Sequence, residues 1–234
     1  MNDIEIQGLT KTYINVTALR QVSLDVRKSE SVGLLGANGA GKTTMLHVLL
    51  GFMPYDEGTV SILGRPSAQL DAVTKEKIGF VAEETGVLPW TGLMDMAELY
   101  QNLYSPWDED VLYRCIDEWE IVVDKRMRSM SKGQRRLAEL ALCFSTCPEI
   151  LVLDEPFIGL DAVMRIKVLG VMKEMNQKSG TTIFYSSHIL SDVEKIARRV
   201  IIIRRGEICL DEAIVNLGST VEAAFVQNYG LSIE

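Results

Sequence analysis

Gly36-Ala37-Asn38-Gly39-Ala40-Gly41-Lys42-Thr43 is the stretch on which the reading of this chain turns. It fits the pattern G-x-x-x-x-G-K-[ST]. Successive backbone N–H groups can wrap phosphate oxygens only where side chains leave the turn open. Gly36, Gly39 and Gly41 clear it and permit positive φ, while Ala37, Asn38 and Ala40 supply further amides. Ser31-Val32-Gly33-Leu34-Leu35, just upstream, reads as a buried strand entering a tight turn. Downstream, Thr43 to Leu50 reads as a helix closing at Gly51. A strand before and a helix after are what the loop requires, because the positive end of the helix dipole then faces the anion. Lys42 can reach the β- and γ-phosphates. Thr43 can ligate Mg²⁺, and Thr44 can add a phosphate hydrogen bond. The pattern implies a nucleotide site.

A second stretch strengthens it. Ile150-Leu151-Val152-Leu153 reads as a buried strand that delivers Asp154-Glu155 at its carboxyl end. Ligands bind beyond the carboxyl ends of strands in open α/β sheets. Asp154 suits a Mg²⁺ ligand, directly or through water. Glu155, one residue on, projects toward the place of an attacking water and is the candidate general base.

Working outward, Ile4, Ile6, Val22, Leu24 and Val26 alternate in strand fashion, and Ile78–Val81 and Thr182–Tyr185 read as further strands. Helical patterns occupy about 162–178 and 189–198. Val200 to Leu210 reads as a hairpin broken at Arg205-Gly206, and a weak helix lies around Val221 to Val226. Alternating strands and helices favour an α/β fold with a parallel sheet. Between about 85 and 145 the period changes. Leu93, Met96, Tyr100 and Leu103 share one helical face. Val111, Cys115, Ile116 and Trp119 share another after Ser105-Pro106-Trp107-Asp108, and Ser131 caps a third helix carrying Leu137, Leu140, Ala141 and Phe144.

Composition sets the outer limits. The chain has 234 residues, 47% hydrophobic and 24% charged, with a formal charge of −8. That balance excludes a disordered, collagen-like or disulfide-scaffold chain. Its acidity disfavours general phosphate-backbone contact, so no nucleic-acid partner is expected. With no apolar run near ~18 residues and no basic, apolar leader at Met1-Asn2-Asp3-Ile4-Glu5, a soluble cytosolic chain is expected. Cys115, Cys143, Cys147 and Cys209 have no metal-ligand spacing and read as buried reduced thiols.

With both motifs in place, the remaining landmarks resemble those of an ATP-binding cassette (ABC) ATPase, from Leu9 to about Leu210. Met130-Ser131-Lys132-Gly133-Gln134, at the start of a helix and ahead of the Asp154 strand, is similar to the LSGGQ signature. Ser187-His188 resembles the switch histidine, Gly159-Leu160-Asp161 the loop that crosses the dimer interface, and Tyr13 the aromatic that stacks on adenine. The resemblance implies a phosphate-loop NTPase core (RecA-like, α/β), an N-terminal antiparallel β subdomain and a helical insert. One domain would span 1–234, with 1–84 and 146–234 as the core and 85–145 as the helical signature subdomain.

The resemblance also implies ATP and Mg²⁺ as cofactors, and a head-to-tail dimer with a second cassette, either the same or a different chain. Each ATP would lie between one phosphate loop and the opposing Ser131, Lys132, Gly133, Gln134 and Asp161. Three positions depart from the family pattern. Ala82-Glu83 stands where Gln is usual, which makes Glu83 a candidate metal ligand and catalytic-site group. Lys132 replaces a glycine, and Ile158 replaces Ser or Thr.

Ser-Lys-Gly-Gln, Glu83 and Tyr104–Asp108 resemble bacterial ABC-2 exporter-type cassettes. That branch implies a separate transmembrane permease, a place on the cytoplasmic face of the membrane, and a groove for a permease helix with Val87, Leu88, Trp90, Leu93 and Met94 as candidate lining. The runner-up reading is a soluble ABC-type ATPase acting as an ATP-gated assembly or repair factor. A small-molecule kinase on the same loop is disfavoured by Met130–Gln134 and His188.

Overall fold

β1 (Asn2–Tyr13) and β2 (Val16–Arg27) form a long antiparallel hairpin in the computed structural model, which describes residues 1–84 and 86–230. Ile4, Ile6 and Leu9 face the same interior as Leu19, Val22, Leu24 and Val26, as the alternation predicts. β3 (Ser31–Leu35) is buried along its whole length, and α1 (Lys42–Leu49) follows the glycine loop. β4 (Glu57–Ile62) and β5 (Arg65–Pro66) then complete a four-stranded sheet in the order β2-β1-β4-β5. α2 (Ala72–Glu76), capped by Asp71, leads to β6 (Ile78–Val81).

The expected change of period is a change of architecture. α3 (Leu93–Leu103), α4 (Glu109–Glu118) and α5 (Lys132–Ser145) follow without a strand. Asp108 caps α4 through Val111 N, and Ser131 caps α5 through Gln134 N. Their apolar faces close over Trp119, which is fully buried and meets Phe144 edge-on at 6.0 Å. Thr85, the expected first residue of this insert, lies outside the described residues, as do positions 231–234 of the expected domain.

The chain then returns to the sheet with β7 (Ile150–Leu153), α6 (Ala162–Glu174), β8 (Thr182–Ser187) and α7 (Leu190–Ile196). β9 (Arg199–Arg204), β10 (Glu207–Ala213) and α8 (Val221–Tyr229) complete it. Helix α6 passes into a single π-type turn over Met175–Ser179 and stops at Gly180. The β9–β10 turn places Arg205 at φ 51 and Gly206 at φ 82, the paired positive angles of a tight hairpin. Val200–Ile203 are all fully buried, and each such side chain is worth roughly 1.5–3 kcal/mol on burial. The flanking Arg199 reaches Asp211 at 2.5 and 2.6 Å, which keeps its charge paired at the strand's end.

The second sheet has the order β10-β9-β3-β8-β7-β6, with every pair parallel except β9–β10. This order brings the carboxyl ends of β3, β8 and β7 side by side: Leu35 pairs with Ser187, and Leu153 with Tyr185. The glycine loop, Ser187-His188 and Asp154-Glu155 therefore leave the sheet from neighbouring strands. No helix among the described residues is long and apolar enough to cross a membrane.

Of the four thiols, Cys115 and Cys143 are buried, and burial pushes both up to about 12. Cys147 and Cys209 are exposed, contrary to expectation. Cys147 lies past the end of α5, with φ 46, so it does not share a helix face with Cys143.

Candidate active site

Two glycines of the loop have identifiable work. A Cβ at Gly36 would sit 2.7 Å from the Ile203 carbonyl oxygen, so this residue answers a close backbone approach. Gly41 is at φ 112, and a Cβ there would lie 2.7 Å from the Ala18 carbonyl. Helix α1 begins directly after Gly41 with no side-chain cap and no acidic residue in its first turn, so its first amides face the loop free of competing carboxylates.

Lys42 is buried beneath the loop. Its Nζ donates to the Gly36 carbonyl at 2.7 Å and stands 3.2 Å from Glu155 Oε1. Both side chains are over 90% buried, so this pair is well shielded from solvent. Glu155 itself is at φ 49, a conformation that costs a non-glycine residue of order 1–3 kcal/mol and recurs at functional sites. Its Oε2 lies 2.8 Å from His188 Nδ1 and accepts from the His188 amide at 3.3 Å. The predicted base and switch histidine are thus in direct contact.

Sequence reasoning missed the residue that organises this corner. Ser186 Oγ donates to Asp154 Oδ1 at 2.6 Å and accepts from the Glu155 amide at 2.8 Å. It is fully buried at the end of β8. A lone serine closing an apolar strand has no motif; the only signal was its place immediately before Ser187-His188. Asp154 is completely buried, and its Oδ2 has no hydrogen-bond partner among the described residues. A buried, unpaired carboxylate oxygen is costly unless a cation or donor meets it.

Glu83 is held by its backbone. Arg136, fully buried on α5, donates to the Ala82 carbonyl at 2.5 Å and to the Glu83 carbonyl. Glu139, one turn on, stands 3.5 Å from Arg136 and accepts from the Gly86 amide at 2.7 Å. Burial draws the Arg136 guanidinium down and pushes the Glu139 carboxyl up, each opposed by the other's charge. The signature helix therefore grips the segment after β6 with two buried side chains. The Glu83 carboxylate is exposed and makes no hydrogen bond or ion pair with the described residues, so it is not joined to Asp154, Glu155 or His188.

The signature turn lies apart. Ser131 and Lys132 are exposed, and Ser131 Oγ caps its own helix. Gln134 is turned inward: its side chain accepts from Val122 N at 3.1 Å and donates to the Glu120 carbonyl at 3.3 Å. A Cβ on Gly133 would lie 2.6 Å from the Gly159 carbonyl, so the signature and the Gly159–Asp161 loop are pressed together. Asp161 caps α6 through Val163 N and Met164 N, both at 2.9 Å. Tyr13 ends β1, 40% exposed as a residue, with its hydroxyl against Met53 Sδ and Lys11 Nζ 5.3 Å from the ring centroid.

A parallel sheet whose central strands lead into a glycine loop, a buried lysine and an acidic pair held against a histidine defines a phosphate-loop nucleotide hydrolase. A family model described as "ABC transporter" matches residues 19–158. The chain belongs to the ABC transporter family and is an ATPase of that type. It is 30% identical over 228 residues to the uncharacterized ABC transporter ATP-binding protein YdbJ of Bacillus subtilis, with 96% of this chain and 73% of that one covered. It is 29% identical over 209 residues to the linearmycin resistance ATP-binding protein LnrL of the same organism, with 87% and 67% covered. Among solved structures, an ATP-binding subunit of an ABC transporter superposes with a TM-score of 0.85 at 24% identity, with 97% of this chain and 99% of that one covered. The dimeric post-hydrolysis state of the cassette MJ0796 bound to ADP and Pi does so at 0.81 and 24%, with 90% and 98% covered. These two confirm the fold.

Proposed function

We propose that the chain is one half of a two-cassette motor that couples ATP hydrolysis to a separate membrane permease, in the export direction. The observation that carries this reading is the convergence of Lys42, Asp154, Glu155, Ser186 and His188 at the carboxyl ends of three adjacent strands. Amides of Asn38, Gly39 and Gly41–Thr43, with Thr44, cradle the phosphates; the Ala37 and Ala40 amides, expected to join them, already donate to the Tyr229 hydroxyl at 2.7 Å and the Ala37 carbonyl at 3.1 Å. An incoming γ-phosphate competes with Glu155 for Lys42, which frees the carboxylate to accept a proton from the attacking water. His188 holds the other carboxylate oxygen and fixes its direction. The water oxygen bonds to the γ-phosphorus as the bond from that phosphorus to the β–γ bridging oxygen breaks, and ADP leaves with the electron pair.

Thr43 and Asp154 would hold Mg²⁺. The unpartnered, buried Asp154 Oδ2 fits that role. When bound, Mg²⁺ supplies neutralisation of charge on the β- and γ-phosphate oxygens. Glu83, whose carboxylate is exposed and not joined to Asp154, would take part only as an outer ligand.

The exposed Ser131 and Lys132 and the half-buried Gly133, with the Asp161 loop packed on them, serve the partner cassette's ATP. Gln134 supports that turn from behind, and Tyr13 offers its ring to adenine. The permease would dock in a cavity of about 390 Å³ between the core and the insert, lined by Phe52, Phe80, Val87, Tyr100, Tyr104 and Cys143. Of the lining expected from sequence, Val87 is there, Leu93 is fully buried in the core, and Leu88, Trp90 and Met94 are exposed on the insert outside the cavity lining. Ala82, Gly86 and Glu139 also border the cavity, so the Arg136–Glu139 grip joins it to the signature helix. Attachment through that cavity would place the chain on the cytoplasmic face of the membrane. The resistance function in LnrL's name favours export.

Glu155→Gln tests the chemistry. It should retain ATP binding while turnover falls roughly a hundred- to ten-thousandfold. Turnover at the wild-type rate would remove Glu155 from its role. Co-purification of the tagged chain with a polytopic membrane protein tests the coupling, and its absence from a membrane fraction would contradict it.

A further inference from the structure

The last described helix reaches back to the phosphate loop. Tyr229, 192 residues from Ala37 in sequence, accepts a hydrogen bond from the Ala37 amide at 2.7 Å and donates one to the Ile203 carbonyl at 2.8 Å. Its hydroxyl therefore ties the loop's second residue to the end of β9. Burial pushes the phenol pKa up, with the Ala37 amide opposing, so the proton stays on and the bond to Ile203 persists at neutral pH.

The helix that carries Tyr229 is firmly placed. Thr220 caps α8, and the Val221 amide donates to Glu194 on α7 at 2.7 Å. Arg204 donates to the Asn228 carbonyl at 3.0 Å and lies 5.7 Å over the Tyr229 ring, while Phe225 stacks on that ring at 4.2 Å. The loop beside this contact is loosely covered. Ala37, Asn38 and Gly39 are exposed, and a cavity of about 270 Å³ separates them from Arg204 and Arg205. On that outer side the loop is held at two points: by the Tyr229 hydroxyl at Ala37, and by the Gly206 amide, which donates to the Ala40 carbonyl at 2.9 Å.

We propose that Tyr229 is a positioning residue for the phosphate loop, and that α8 thereby sets nucleotide affinity without taking part in the chemistry. The inference rests on reading Gly36–Thr43 as the phosphate cradle. A loop fixed before the nucleotide arrives loses less conformational freedom on binding, so affinity rises. The bond is the same before and during the reaction, so its loss weakens substrate and transition state equally. That raises KM and leaves kcat unchanged. Linkage makes the coupling reciprocal: nucleotide in the loop must also steady α8.

Tyr229→Phe in the full chain removes one oxygen and keeps the ring's stacking. Kd for ATP and for ADP, and KM for ATP, should each rise roughly three- to tenfold, the range of one net hydrogen bond, with kcat within about twofold. Unchanged Kd overturns the proposal. So does a fall in kcat at unchanged KM, the mark of a smaller folded fraction. In the wild-type chain, ATP should slow amide exchange across 221–229, and exchange there indifferent to ATP also overturns it. Lys42→Ala separates the two layers. If it binds ATP as the wild type does, the reading of the loop itself fails. If it loses ATP while Tyr229→Phe keeps wild-type affinity, only the role of Tyr229 falls.

Discussion

The glycine-bearing turns that open α1 and α5 are built differently. The Gly36–Thr43 loop is backed by the sheet, contains a lysine that is over 90% buried, and faces two buried carboxylates and a histidine from adjacent strands. The Ser131–Gly133 turn exposes Ser131 and Lys132, caps its own helix, and has no acid or buried cation of its own. What it has is rigidity. Gln134 pins it to the 120–122 turn, and Gly133 is locked against Gly159. The first turn is equipped to bind and react, the second only to present a shaped surface. On the proposed reading, one copy of the chain holds a reactive half-site together with a separate rigid face.

The largest effect that would sharpen this contrast is expected at Gly133. Gly133→Ala places a methyl group 2.6 Å from the Gly159 carbonyl, so one of the two turns must shift. ATP binding to the isolated monomer should be unchanged, while turnover falls roughly a hundredfold or more, the scale of losing a preorganised donor set. A drop in monomer affinity would break the distinction between the turns. Ser186→Ala comes next. Loss of its two bonds leaves Asp154 Oδ1 and the Glu155 amide without a partner, worth about 1–3 kcal/mol. We expect kcat to fall about tenfold and a higher Mg²⁺ concentration at half-maximal rate; normal kinetics would show that Ser186 merely fills space. The smallest change is expected from Glu83→Gln, which removes one negative charge from an exposed carboxylate near the site. The Mg²⁺ dependence of hydrolysis should shift a few-fold at nearly constant maximal rate, and an unaltered dependence would exclude Glu83 from metal handling.

Much of this was legible because the reactive residues sit at the ends of apolar runs. Ser31–Leu35 and Ile150–Leu153 are strands over the residues their hydropathy predicts, so the loop and Asp154-Glu155 were correctly placed at one edge. The helical insert was equally clear from its change of period. The signal failed where the pattern is short. β4 and β5 were not foreseen, because Val60 and Ile62 are the only buried residues of a six-residue strand broken by Gly58, and β5 has two residues. β8 extends two residues past the apolar run, because Ser186 and Ser187 are buried through hydrogen bonds that hydropathy does not register. Gly36 was expected to supply a positive φ but answers the approach of the Ile203 carbonyl, a contact across 167 residues that no local pattern encodes. Nothing in the sequence singles out Arg136 and Glu139; their burial follows from carbonyls and an amide supplied by the segment after β6.

The central claim is that the exposed signature face of one cassette completes the reactive loop of another. Sedimentation velocity of the Glu155→Gln chain, with and without Mg-ATP, tests it most directly. The account predicts a monomer without nucleotide and a dimer with two ATPs retained when it is present, abolished by Gly133→Ala. A nucleotide-saturated chain that stays monomeric at every concentration, alone and mixed with a co-purifying cassette or permease, would contradict it.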